Sequence, residues 1–254
     1  MSYVIAITGK GGVGKTTIAG LAVRGLIEAG KVPVLAVDAD PNSCLDAALG
    51  VKVRGTVGSV REEVREAASL GMGAGISKQQ LLELRIAESL VESEGFDLIA
   101  MGRPEGAGCY CYANNVLKDA LGRLAGNYGS VVLDNEAGLE NLSRRIIQEV
   151  DLLVLAGDAT YNGLRTLARL RELADEMEIR FGALAVIVNR CRSDELPRAA
   201  RELVDGFSGA AALALPFDPQ ISEFSETGRT IFDLPSDNPS LARIASFVDG
   251  IMSR

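Results

Sequence analysis

The sequence predicts a doubly wound α/β fold, a mostly parallel sheet with helices on both faces. Three observations carry that expectation. Short β-branched apolar runs alternate with longer segments of helical periodicity. The runs are apolar at consecutive positions, as strands covered on both faces must be. A glycine-rich phosphate-loop pattern stands between the first run and the first helical segment. The chain has 254 residues, 47% hydrophobic and 24% charged, which suits a compact globular protein rather than a disordered or coiled-coil one. We expect a single domain over residues 1–254 with about seven strands.

In chain order the strands are expected at Tyr3–Thr8, Pro33–Val37, Asp97–Met101, Ser130–Leu133, Leu152–Ala156, Ala183–Val188 and Ala212–Leu215. Helices are expected at Thr16–Ala29, Tyr112–Ala125, Leu139–Glu149, Gly163–Met177, Pro197–Asp205 and Pro239–Met252, each with apolar residues three and four apart. The stretch 51–94 is the least regular and reads as an insertion. It holds a glycine patch, Gly71-Met72-Gly73-Ala74-Gly75, between two charged helical stretches, and is either a solvated excursion or a partner-facing element.

Composition removes whole classes of function. With 26 Lys+Arg against 34 Asp+Glu the net charge is −8, which repels a phosphate backbone, so nucleic acid is not an expected partner. Histidine is absent, which excludes a Ser-His-Asp triad, an imidazole base and any His-containing zinc site. No apolar run approaches the roughly 20 residues of a membrane span, and the apolar start lacks the basic leader of a signal peptide. Four cysteines, two of them one residue apart, suit reduced thiols. A cytoplasmic protein without a membrane partner is expected.

The run Gly9-Lys10-Gly11-Gly12-Val13-Gly14-Lys15-Thr16-Thr17 satisfies the phosphate-loop pattern in its strand-loop-helix context. Backbone N–H groups of Gly11, Gly12, Val13 and Gly14, and of Thr17 in the first helical turn, would converge on phosphate oxygens. Lys15 would neutralise the outer phosphates and Thr16 would ligate Mg2+. ATP and ADP with Mg2+ are therefore the expected ligands. After the second strand, Asp38-Ala39-Asp40-Pro41 places two carboxylates at the carboxyl edge of the sheet. Asp38 would hold magnesium and Asp40 would orient or deprotonate the attacking water. After the fourth strand, Asp134 is a second magnesium candidate, and Gly138 could bring its N–H close to a γ-phosphate. Glu136 could sit near magnesium or bond to backbone. Asn189-Arg190 and Pro216-Phe217-Asp218 end later strands on the same edge, which is expected to carry the nucleotide, and they resemble the adenine-side elements of deviant Walker A ATPases. The Asn189 amide could read a purine edge or hold its own loop.

Lys10 is a second lysine that a simple phosphate loop does not need. With it the loop resembles the deviant Walker A motif of the MinD, ParA and nitrogenase iron protein ATPases. The resemblance implies that Lys10 reaches across a homodimer to the partner's nucleotide, acting as an arginine finger does.

Cys109-Tyr110-Cys111 follows a glycine-rich loop at the expected start of a helix, a place that favours thiolates. A closed site wants four ligands, and a two-fold axis would supply two from each subunit. Ni2+ and Zn2+ both suit thiolates, while burial or a redox couple are the alternatives for the pair. Cys44 and Cys191, each isolated, read as buried hydrophobes.

Taken together, the phosphate loop, the Asp38-Ala39-Asp40-Pro41 run, the cysteine pair and Asp134-Asn135-Glu136-Ala137-Gly138 resemble the CooC family across nearly the whole chain. These ATPases mature the nickel centres of carbon monoxide dehydrogenase and acetyl-CoA synthase. The resemblance implies a dimer that holds nickel between two cysteine pairs and delivers it to such a client. One departure is Asn141, where a histidine is common in the family. Two other readings stand beside it: an iron–sulfur carrier or scaffold ATPase, and a MinD- or ParA-like positioning ATPase. The second needs a basic amphipathic helix or patch, and the segment Ser246 to Arg254 carries one base and one acid.

Overall fold

The structure is a computed structural model, and it describes residues 2–40, 44–69, 77–102, 122–139 and 149–253. Its centre is β1 (Tyr3–Gly9), which passes through a short loop into α1 (Lys15–Glu28). Then follow β2 (Val34–Ala39), α2 (Leu45–Leu49), α3 (Val57–Ser69), α4 (Lys78–Glu88), β3 (Val91–Glu92), β4 (Phe96–Ala100) and β5 (Ser130–Ala137). The second half runs β6 (Glu149–Asp158), α5 (Tyr161–Glu176), β7 (Arg180–Cys191), α6 (Arg198–Asp205), β8 (Ala211–Pro216) and α7 (Pro219–Thr227). A 3-10 turn (Ile231–Asp233) leads to α8 (Pro239–Met252).

Among the described residues the sheet has eight strands in the order β3-β4-β2-β5-β1-β6-β7-β8. All seven expected strands are present, and the count of about seven is corrected by β3. That strand is two residues long, half exposed, and pairs antiparallel with β4 at the sheet's edge. It has neither the length nor the apolar run that marks a buried strand. Every other pairing is parallel.

Strand residues feed two cores in alternation. Leu152 and Val154 of β6 join Ile5, Ile7, Ile18 and Leu21 on the face of α1 and α8. Leu153 and Leu155 join Ala6, Leu133, Ile99 and Leu167 on the other face. Both faces being buried is why the strands read as continuous apolar runs.

The helices follow local signals. Asn238 caps α8, accepting from Ser240 N and Leu241 N with Pro239 in the first turn. Leu241, Ile244, Val248 and Ile251 then face the core. α8 lies so close to α1 that a Cβ on Gly25 would sit 2.8 Å from the Ala245 methyl. Within the stretch 51–94 stand α3 and α4, whose Val57, Val60, Val64, Leu82 and Ile86 are buried in the same core as Ala6, Ile99 and Leu133. Most of the expected helix Tyr112–Ala125 lies outside the described residues, and residues 122–125 are helical. The expected helix Leu139–Glu149 also lies largely outside them. Its last residue, Glu149, instead opens β6.

Candidate active site

Because the long strands are parallel, their carboxyl ends share one edge. Register puts Asp38 beside Asp134, Asp134 beside Ile7, Gly9 beside Ala156, Asp158 beside Asn189, and Cys191 beside Pro216. These pairs follow the carboxyl edge of the sheet in a stagger, each about two residues further along than the one before.

In the middle of that edge β1 turns into the phosphate loop. A Cβ on Gly9 would strike the Ala156 carbonyl, so the β1 and β6 main chains meet with no room for a side chain. Gly14 ends the loop at φ 92, a left-handed value, and caps α1 without a side-chain bond. The first N–H groups of α1 therefore remain available, at the positive end of the helix, to an anion. Lys15 is buried, with Nζ 3.4 Å from the Lys10 carbonyl oxygen. Lys10 itself is exposed.

To one side lie the carboxylates. Asp38 is fully buried; its Oδ1 accepts from Asp40 N at 3.1 Å and its Oδ2 from Leu45 N at 3.0 Å, which ties down the loop and opens α2. Burial pushes its pKa up to about 6, against the opposing effect of those two bonds. Asp134 is 1% exposed, and neither of its oxygens has a hydrogen-bond partner. Burial pushes it up to about 7; the Thr16 hydroxyl, beside it but outside hydrogen-bond geometry, and the Lys15 ammonium pull it down, while Asp38 and Asp40 push it further up. An orphaned buried acceptor costs about 1–3 kcal/mol. Two on one carboxylate, next to a hydroxyl and a second carboxylate, fit a hydrated Mg2+, whose waters are donors and whose ligands are hard oxygens.

To the other side is a cavity of about 290 Å³ lined by Gly14, Thr17, Asn189, Arg190, Pro216, Phe217 and Asp218, among others. Asn189 donates from Nδ2 to the Val13 carbonyl at 2.9 Å and accepts at Oδ1 from Arg190 N at 2.8 Å. These bonds use one of its two N–H groups and one lone pair at its oxygen. Asp218 accepts from Gln220 N and Ile221 N at Oδ1, and from Asn238 Nδ2 and Ser240 Oγ at Oδ2. Phe217 is an exposed aromatic at the cavity's rim.

Residues 4–231 match the model of the CobQ/CobB/MinD/ParA nucleotide binding domain. The chain belongs to this family. An uncharacterized ATP-binding protein of Methanocaldococcus jannaschii is 38% identical over 99% of both chains. The carbon monoxide dehydrogenase accessory protein CooC of Rhodospirillum rubrum is 31% identical, covering 91% of this chain and 89% of that one. Among solved structures, MinD of Aquifex aeolicus superposes with a TM-score of 0.72 at 23% identity, over 100% of this chain and 98% of that one. MinD of Pyrococcus horikoshii, complexed with Mg-ADP, gives 0.68 at 20% identity, over 99% and 96%. At those identities the structures share the fold, a single-domain P-loop α/β unit.

In this CobQ/CobB/MinD/ParA chain the structure brings Asp38, Asp40 and Asp134 together on one side of the loop formed by Lys10 through Thr17, and Asn189, Arg190, Pro216, Phe217 and Asp218 together on the other. Asp40 is half-buried, close enough to raise both Asp38 and Asp134. Pro41, Cys109, Cys111 and Asn141 lie outside the described residues. Among the described residues no group of three or more His, Cys, Asp or Glu could hold a metal ion. Cys191 is buried as expected, donating to the Val188 carbonyl, but Cys44 is exposed. Cys44 precedes the first turn of α2, so its side chain meets solvent instead of a core.

Asp158 was not visible as a site residue in the sequence. It ends β6, bonds Thr160, and is held below the usual carboxylate range first by that hydroxyl, with Lys10 and Arg190 nearby adding to the effect. An acid closing a strand, like Asp38 and Asp134, was the available signal. Nothing comparable marked Asn238 and Ser240, which only the folded chain brings to Asp218. No described helix is long and apolar enough to cross a membrane.

Proposed function

We propose that the protein is a MgATP-hydrolysing metallochaperone. It works as a homodimer, takes Ni2+ or Zn2+ as cargo on Cys109 and Cys111 of each subunit, and delivers nickel to carbon monoxide dehydrogenase or acetyl-CoA synthase. The observation that carries the ATPase part is the buried Asp38 and Asp134 pair beside Thr16 and Lys15, with Asp134 unpartnered. In this reading Lys15 and the loop N–H groups hold the phosphates, and Thr16, Asp38 and Asp134 would hold Mg2+. When bound, that ion neutralises charge on the transferring phosphoryl group. Asp40 would orient or deprotonate the attacking water, and Lys10, exposed at the loop's start, would reach the partner subunit's nucleotide.

The cargo part is supported by Cys109-Tyr110-Cys111 in the sequence and by the identity to a carbon monoxide dehydrogenase accessory protein. A nucleotide can shift a metal site only through different affinities in its two states, so the metal affinity must differ between ATP- and ADP-bound dimers. The test is anaerobic titration with Ni2+ and Zn2+, with subunit mass followed in parallel, for the wild type and a Cys109→Ser/Cys111→Ser variant, with and without ADP. One metal per dimer, lost in the variant and altered by nucleotide, is the expected result. Nucleotide-driven dimerisation with no cysteine-dependent metal would overturn it.

A positioning ATPase is the second reading, favoured by the fold likeness to MinD, which is also solved as a MinC:MinD complex in Aquifex aeolicus (TM-score 0.73, 22% identity, over 100% and 96%). Against it, α8 turns its apolar side into the core. ATP-dependent sedimentation with vesicles or DNA would support this second reading. A brown protein absorbing visible light would support an iron–sulfur carrier instead.

A further inference from the structure

The end of β5 is held by two side chains of unusual placement. Thr8, fully buried, donates its hydroxyl hydrogen to the Gly138 carbonyl. One residue earlier on β1, the Ile7 carbonyl accepts from Asn135 Nδ2 at 3.1 Å. Between these two ties the β1–β5 register slips: Ile7 faces Asp134, but Gly9 faces Ala137. Two steps along β1 thus span three along β5, a bulge beside the unpartnered Asp134. Gly138 follows at φ 99, a conformation that favours glycine.

β1 is a post that cannot yield. It is paired with β5 on one side and β6 on the other, and Gly9 is already in contact with the Ala156 backbone. Thr8 also faces away from α1. Ile7 belongs to the core beneath α1, so Thr8, by alternation, shares the opposite face with Ala6. Its hydroxyl is bonded to the Gly138 carbonyl.

We propose that Thr8 and Asn135 are positioning residues that set the bulged end of β5, with Thr8 orienting Gly138 so that its N–H meets a γ-phosphate. The proposal rests on the ATPase reading above. A diphosphate, held by residues 10–17, does not need this contact; a triphosphate does.

The test compares Mg2+-ADP and Mg2+-ATPγS affinities, by displacement of a fluorescent nucleotide, for the wild type, Thr8→Val and Thr8→Ser. Valine keeps the shape and removes the donor, while serine keeps the donor. Thr8→Val is expected to weaken ATPγS about tenfold relative to ADP, the size of one lost hydrogen bond. ADP affinity stays at the wild-type value, and Thr8→Ser restores the ratio. Thr8→Ala gives the same reading should the valine variant fail to fold. An unchanged ratio in the donorless variants, equal loss of both nucleotides, or a serine variant that behaves like valine overturns the proposal alone. A wild type that binds both nucleotides equally overturns the ATPase switch beneath it as well.

Discussion

The two sides of the phosphate loop are built on opposite plans. On the base side both carboxylate oxygens of Asp218 are bonded to protein, and Asn189 is tied to the loop it stands beside. On the phosphate side Asp134, more deeply buried than either, has no partner, and Asp38 is bonded yet still pushed upward by burial. Satisfied groups hold a shape; a buried carboxylate with both oxygens unpartnered has acceptor sites open to a cation or its waters. The comparison therefore separates scaffold from chemistry along one edge of the sheet.

The largest effect should come from the cation between the two plans. Lys15→Ala is expected to lower the rate of phosphate release from ATP by on the order of 100-fold or more, the scale on which charge compensation acts in phosphoryl transfer. Steady-state phosphate release checks this, and a loss below tenfold would break the assignment of Lys15 to the chemistry.

Next is the pH dependence of the ligand-free protein. Asp38 and Asp134 bind protons more tightly folded than unfolded, so the native state holds extra protons between about pH 4 and pH 7. Stability then falls as pH rises through that window and is lowest above it. From pH 5 to pH 8 the loss should be on the order of 3 kcal/mol, read by urea unfolding. Asp134→Asn should flatten most of the slope and raise stability at pH 8 while abolishing hydrolysis. A flat wild-type profile would mean that Asp134 is not an uncompensated charge.

The smallest effect sharpens the base side. Asp218→Ala is expected to cost about 1–3 kcal/mol of stability through the loss of the caps on α7 and the bond to Asn238. Nucleotide affinity should change less than tenfold. A variant of unchanged stability that loses nucleotide binding would move Asp218 from scaffold to direct contact.

What the sequence made legible follows the same division. The seven long strands were readable because burial on both faces makes their apolar residues contiguous, and the phosphate loop because its glycines and lysine sit at fixed spacing. α3 was harder: Val57, Val60 and Val64 keep a helical interval, but among charged neighbours their stripe is narrow. Asp218-Pro219, a cap followed by proline, marks the start of α7 as well as the rim of the cavity. The ties Thr8 to Gly138 and Asn135 to Ile7 join residues about 130 apart in sequence, and nothing local to either announces the other. The bulge in β5 is likewise a property of two strands together.

The crossing of α1 and α8 has a mechanical side. Where Gly25 meets Ala245 there is no space for even one more methyl group, so the two helices touch nearly backbone to backbone. Long side chains at a contact can change rotamer and let helices slide; a hydrogen atom and a methyl cannot. The crossing is a joint without play. A side chain at position 25 would have to part the two helices before the core beneath them could close.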